Sequence, residues 1–100
     1  MVRIRLEVLP GLNASVGGDG IDSVILNREM EEGSRVGDVL SRLATEYQSF
    51  GALFFDLQTR KLSGQVAVVL NDQLLEVLQA LDTEIQEGDV IRLFPLLAGG

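Results

Sequence analysis

One segment constrains the fold more than any other. Between Ser34 and Tyr47, the apolar residues Val36, Val39, Leu40, Leu43 and Tyr47 recur at spacings of three and four. That period puts them on one face of a helix of three to four turns. It is the only long amphipathic helix the sequence offers. The other apolar runs are short and most are extended in character, so this stripe must be buried against a sheet. One helix on one mixed sheet is the two-layer solution for a chain of 100 residues.

The strands can be read on either side of the helix. Val2, Ile4, Leu6 and Val8 alternate with Arg3, Arg5 and Glu7, marking a half-buried strand over 2–9. Pro10-Gly11 stops it. Residues 13–22, with Gly17, Gly18 and Gly20, read as a long flexible loop. A second strand is predicted over 23–29, then a turn at Glu31-Glu32-Gly33. Asp38 falls in the first helical turn, where it complements the dipole. Gly37 costs about 1 kcal/mol relative to Ala, tolerable near an end. Gly51 is expected to stop the helix, and Leu53-Phe54-Phe55-Asp56 is read as a buried helical turn.

The run Val66-Ala67-Val68-Val69-Leu70 suits a central strand, and Asn71-Asp72 turns the chain. Residues 74–81 fit either a short helix or a short strand followed by a crossing loop; the second is preferred. Glu87-Gly88-Asp89 feeds a last strand over 90–94, ended by Pro95, which has no amide to give a ladder. The fold class is α+β, a mixed sheet of four to five strands on one main helix. The chain is a single domain over 1–100 with a flexible tail over 95–100.

Composition removes most chemistry. There is no histidine and no cysteine, which excludes Ser-His-Asp and Cys-His catalysis and thiolate metal sites. The acidic residues show no metal-ligand spacing, so metal: none. The net charge of −7 argues against nucleic acid, and no apolar run could span a bilayer. No signal-peptide pattern opens the chain, so a cytoplasmic, non-enzymatic domain is expected. Lys61 is the only lysine.

The distinctive feature is the end. Leu96-Leu97-Ala98-Gly99-Gly100 narrows from large side chains to none. Six extended residues reach ~20 Å past the last strand, and glycines let backbone approach a ligand closely. The alternative is an ordinary frayed terminus.

With Val36-Gly37-Asp38-Val39-Leu40, Tyr47, Leu53-Phe54-Phe55-Asp56, Val68-Val69-Leu70-Asn71-Asp72, Leu81-Asp82-Thr83-Glu84-Ile85-Gln86-Glu87-Gly88-Asp89-Val90 and the terminal Ala-Gly-Gly, the whole chain resembles the MoaD/ThiS family of ubiquitin-like sulfur carriers. The resemblance implies a β-grasp fold. It implies that an E1-like adenylyltransferase of the MoeB/ThiF type adenylates Gly100, using ATP and magnesium held by the partner and no cofactor of this chain's own. A sulfurtransferase or cysteine desulfurase then yields a thiocarboxylate. The acceptor would be an enzyme such as the molybdopterin synthase large subunit, or one of thiamine, cysteine or tRNA thiolation. Conjugation to lysines through Gly100 is the alternative.

Alternation points Ile91, Leu93, Val66, Val68 and Leu70 inward, and Arg92, Phe94, Ala67 and Val69 outward. Val69, Leu74 and Phe94 then form an outward apolar patch, which serves partner binding together with Leu96, Leu97 and Ala98. The resemblance places the positions of Leu74 and Phe94 against the activating enzyme; the alternative is that the patch residues cover one another. The chain departs from the family pattern in having Leu96 where many relatives have a second proline. Its 13–22 loop is also longer than usual, and Asn71-Asp72-Gln73 stands where an Asn-Gly turn is common.

Overall fold

The structure, a computed structural model, describes residues 1–96. Among these, seven strands and three α-helices occur in the order β1 (Val2–Val8), β2 (Val24–Met30), α1 (Val36–Glu46), α2 (Gln48–Leu53), β3 (Phe55–Asp56), β4 (Lys61–Leu62), β5 (Val66–Leu70), β6 (Gln73–Leu75), α3 (Val77–Asp82) and β7 (Val90–Pro95). The main sheet is ordered β2-β1-β7-β5-β6, and β3-β4 forms a separate hairpin. Strand β7 is central, parallel to β1 and antiparallel to β5. This is the mixed sheet clasping one main helix that the sequence implies.

Alternation sorts each strand into two faces. One transverse row, Val24–Val8–Leu93–Val68–Leu75, is in register across all five strands and faces the core. Against it α1 lays Val36, Val39, Leu40 and Leu43, all but fully buried. Phe50, Phe55 and Ile85 complete the interior.

Several expectations are corrected. The 13–22 segment is not loop throughout, because Asn13–Val16 forms a 3₁₀ turn. Leu12 and Val16, four apart, are drawn into the core and anchor it. Gly51 does not stop α1. The helix ends at Glu46, and Gly51 sits inside α2, where a Cβ would lie 3.0 Å from the Ala44 carbonyl oxygen. The helical turn expected at 53–56 lies earlier: Leu53 closes α2, while Phe55 and Asp56 are already strand. After β6 the crossing segment is helical, so residues 74–81 contain both of the structures weighed for them. Pro95 is itself the last residue of β7, opposite Val66.

The β5-β6 connection explains the choice of Asn71-Asp72. Both have positive φ, 48° and 69°, as a tight two-residue hairpin requires. The Asn71 side chain accepts the Val90 amide at 2.9 Å and donates to Asp89 at 2.8 Å. The turn is thereby tied to the entry of β7.

At the start of α1 the Asp38 carboxylate accepts the Arg35 backbone N–H at 2.8 Å and an Arg60 guanidinium N–H at 3.1 Å. These partners hold Asp38 below its ordinary value of 3.8, the Arg35 amide first. A lowered folded-state value stabilises the fold above the ordinary value, and that contribution is lost as pH falls through the folded one. Asp38→Ala should therefore cost about 1 kcal/mol near neutrality. The difference from wild type should shrink in urea titrations as pH falls below 3.8 and on through the lowered folded-state value.

Gly37 has a role beyond tolerance. A Cβ there would meet the Leu81 carbonyl oxygen at 3.0 Å and Arg60 Nη2 at 2.9 Å. Arg60 can move aside, but the Leu81 backbone cannot. Gly37→Ala should gain up to about 1 kcal/mol in helix propensity and lose about 1–3 kcal/mol to overpacking. The expected net result is destabilisation, read as a lower urea midpoint.

Candidate functional site

The outer face of the sheet is built by the same alternation that builds the core. Its matching row runs Ile25–Glu7–Arg92–Val69–Leu74, again in register across all five strands. The row is apolar at both ends and ionic in the middle. Arg92 Nε lies 3.3 Å from Glu7 Oε1, and Nη1 lies 2.6 Å from Asp72 Oδ1. Hydrogen bonds to Asp72 and then Glu7 raise the guanidinium's already high proton affinity. The side chain is thus held flat across the sheet as a fixed cation between two carboxylates.

One step along β7, Phe94 stands opposite Ala67. Ala67 is buried although it does not belong to the core cluster. A large residue directly across the ladder is close enough to interact with a small one, and Phe94 holds that position relative to Ala67. Phe94 and Val69 are half-buried, whereas Leu74 is 69% exposed and Leu96 50% exposed.

Val69 and Leu74 are cross-strand partners, and Phe94 lies two residues along β7 from Arg92, the other partner of Val69. Only Leu74 stands out fully into solvent; Val69 and Phe94 are partly covered. Leu97, Ala98, Gly99 and Gly100 lie outside the described residues. The sequence reading missed the Glu7–Arg92–Asp72 arrangement. Alternation marks Arg92 as outward, but only the parallel pairing of the first and last strands brings Glu7 beside it.

The final strand also sets where the terminal segment leaves the fold. Pro95 has no amide, and the Leu96 N–H donates to the Gln65 carbonyl at 2.7 Å. The departure point is at the margin of the apolar patch, beside Phe94. Among the described residues, no group of three or more His, Cys, Asp or Glu could hold a metal ion. No helix there is long and apolar enough to cross a membrane.

Comparison with known proteins agrees with this fold. The model of the ThiS family matches residues 24–100, through to the diglycine. Solved structures of the same shape include small archaeal modifier protein 1 of Haloferax volcanii, at 18% identity and a TM-score of 0.73, covering 97% of this chain and 100% of that one. A Pyrococcus furiosus protein designated molybdopterin converting factor, subunit 1, has 21% identity and a TM-score of 0.70, with 97% and 100% covered. A chain of the Amycolatopsis orientalis BexX/CysO complex has 22% identity and a TM-score of 0.67, with 97% and 99% covered. At these identities the likeness establishes the β-grasp, ubiquitin-like fold. No curated protein sequence matches significantly.

The patch residues should differ in what they contribute to the fold. Leu74→Ala should leave stability within about 0.5 kcal/mol of wild type. Phe94→Ala, which removes a half-buried ring from the central strand, should cost more than 1 kcal/mol. Urea unfolding of both variants measures the contrast.

Proposed function

The chain belongs to the ThiS family of ubiquitin-like sulfur carriers, and we propose that its working group is the carboxylate of Gly100. A carboxylate is a poor acyl donor. An E1-like adenylyltransferase, which brings ATP and magnesium, makes it a good one: a Gly100 oxygen attacks the α-phosphorus and pyrophosphate leaves. The outer sulfur of a persulfide carried by a sulfurtransferase or cysteine desulfurase then displaces AMP, and a thiol cleaves the S–S bond of the resulting acyl disulfide, leaving a thiocarboxylate and a disulfide. This chain contributes the terminus and the docking face, and the partner contributes the catalytic groups. The destination we favour is a molybdopterin synthase large subunit, in the cytoplasm.

One observation carries the reading. The central strand leads directly to Leu96-Leu97-Ala98-Gly99-Gly100 and leaves the sheet at the edge of the Val69, Leu74 and Phe94 patch. A partner seated on that patch would have the terminal residues at hand, and Gly99-Gly100 adds no side-chain bulk at the reacting end. The family match running through to Gly100 supports the same assignment. Leu96, Leu97 and Ala98 then line the approach.

Incubation with an activating enzyme, ATP and a sulfur source tests this by intact mass. The expected product is heavier by the exchange of one oxygen for sulfur. Deleting Gly100 should abolish that product without shifting the thermal midpoint. An unchanged mass in wild type would overturn the proposal. Higher-mass species joined to lysines through Gly100 would make the chain a protein modifier instead. Leu74→Ala should weaken binding to the activating enzyme by about 2 kcal/mol if it is an anchor; unaltered affinity would remove it from the interface.

A further inference from the structure

The main sheet has two edges, β2 and β6. β6 is three residues long, whereas β2 is seven. It holds no proline, begins Val-Ile-Leu and leaves Ile25 51% exposed. An edge of that length and composition is a ready template for another strand.

Which of its backbone groups are free follows from the far side of β1. The Arg5 amide donates to the Asp89 carbonyl at 3.0 Å, and the Arg3 carbonyl accepts the Gly88 amide at 2.8 Å. Arg3 and Arg5 thus turn their backbone groups away from β2. Their cross-strand partners Glu29 and Asn27 therefore stand in non-hydrogen-bonded pairs. The amides and carbonyls of Asn27 and Glu29, and by alternation those of Ile25, point out of the open edge.

Two of those three carbonyls are already taken. Arg28 Nη1 donates to the Asn27 carbonyl at 3.0 Å, and Arg42 Nη1 donates to the Glu29 carbonyl at 3.0 Å. A ladder amide would sit at the same distance, so each guanidinium fills the place of an incoming strand's N–H. Neither is held by the carbonyl alone. Glu46, the last residue of α1, lies 3.3 Å from Arg28 Nε and 3.8 Å from Arg42 Nε. Arg42 Nη1 also lies 3.5 Å from the Met30 sulfur. One carboxylate thus orients both caps, one rising from the strand and the other from the helix.

We propose that Arg28 and Arg42, oriented by Glu46, close β2 to strand addition, and that the partner they exclude is a second copy of this chain. A second copy carries the same edge, and two β2 strands about a two-fold axis would pair antiparallel, donors facing acceptors. In that pairing the caps of both copies occupy the one new ladder, so every guanidinium must be displaced before it can form. The inference does not depend on the carrier reading.

Sedimentation equilibrium of Arg28→Ala/Arg42→Ala beside wild type tests this, in about 0.5 M salt to screen the net charge. Wild type should stay monomeric. The double variant should dimerise at least tenfold more tightly, although losing two cations deepens the negative charge of a chain already at −7. Its Ile25, Asn27 and Glu29 amides should gain protection from hydrogen exchange as protein concentration rises. Arg3→Ala/Arg5→Ala makes the same charge change without touching the caps, and it should behave as wild type.

A double variant as monomeric as wild type would overturn the proposal. So would a wild type already dimeric with those three amides protected, or a variant dimer in which they exchange freely. Should the double variant fail to fold, Glu46→Gln carries the test, since it frees both guanidiniums and leaves the strand unchanged. It should dimerise at least twofold more tightly than wild type, and no difference would sink the idea.

Discussion

Strand β7 is last in the described chain and central in the sheet, and the rest of the molecule is arranged around that fact. Its inward residues, Ile91 and Leu93, are wholly buried beneath α1. Its outward residues, Arg92 and Phe94, form the middle of the opposite face. Parallel pairing to β1 and antiparallel pairing to β5 fix both registers together. A slip of one residue would turn Leu93 to solvent and Arg92 into the core, a penalty that makes the register close to absolute.

The two faces divide the work. On the inner face, burial of Val8, Leu93 and Val68 against Val39, Leu40 and Leu43 holds the fold together. On the outer face, the Glu7–Arg92–Asp72 arrangement contributes orientation more than stability, as exposed ion pairs generally do. It separates Ile25 at one edge from Val69 and Leu74 at the other. A protein without histidine or cysteine has little chemistry of its own to offer. What its described residues offer is a surface of fixed shape, on which the proposed carrier function would rely for docking.

Much of this was legible in the sequence because its periods are clean. The two-residue alternation of Val2 to Val8 and the three-four spacing of α1 each fit one structure only. Inward and outward assignments in β5 and β7 followed from the same alternation. The failures have a common cause: they lie where a tertiary contact overrides a local signal. Gly37 and Gly51 look like a defect and a stop, yet each makes room for a neighbouring carbonyl, of Leu81 and Ala44 respectively. Val16 sits in a glycine-rich stretch that reads as loop, yet it and Leu12 just before that stretch are buried in the core. The salt-bridged centre of the outer face was hidden for a related reason, since Glu7 and Arg92 are 85 positions apart.

The position of β7 also has a mechanical consequence. A partner that draws the terminal residues toward its reaction centre pulls on this strand along its axis. Ladders on both sides meet that load in shear, with many hydrogen bonds strained together rather than one after another. An edge strand would have a single ladder to resist the same tug. Strand β7 can therefore bear a pull without being unravelled, a property the proposed carrier role would draw on.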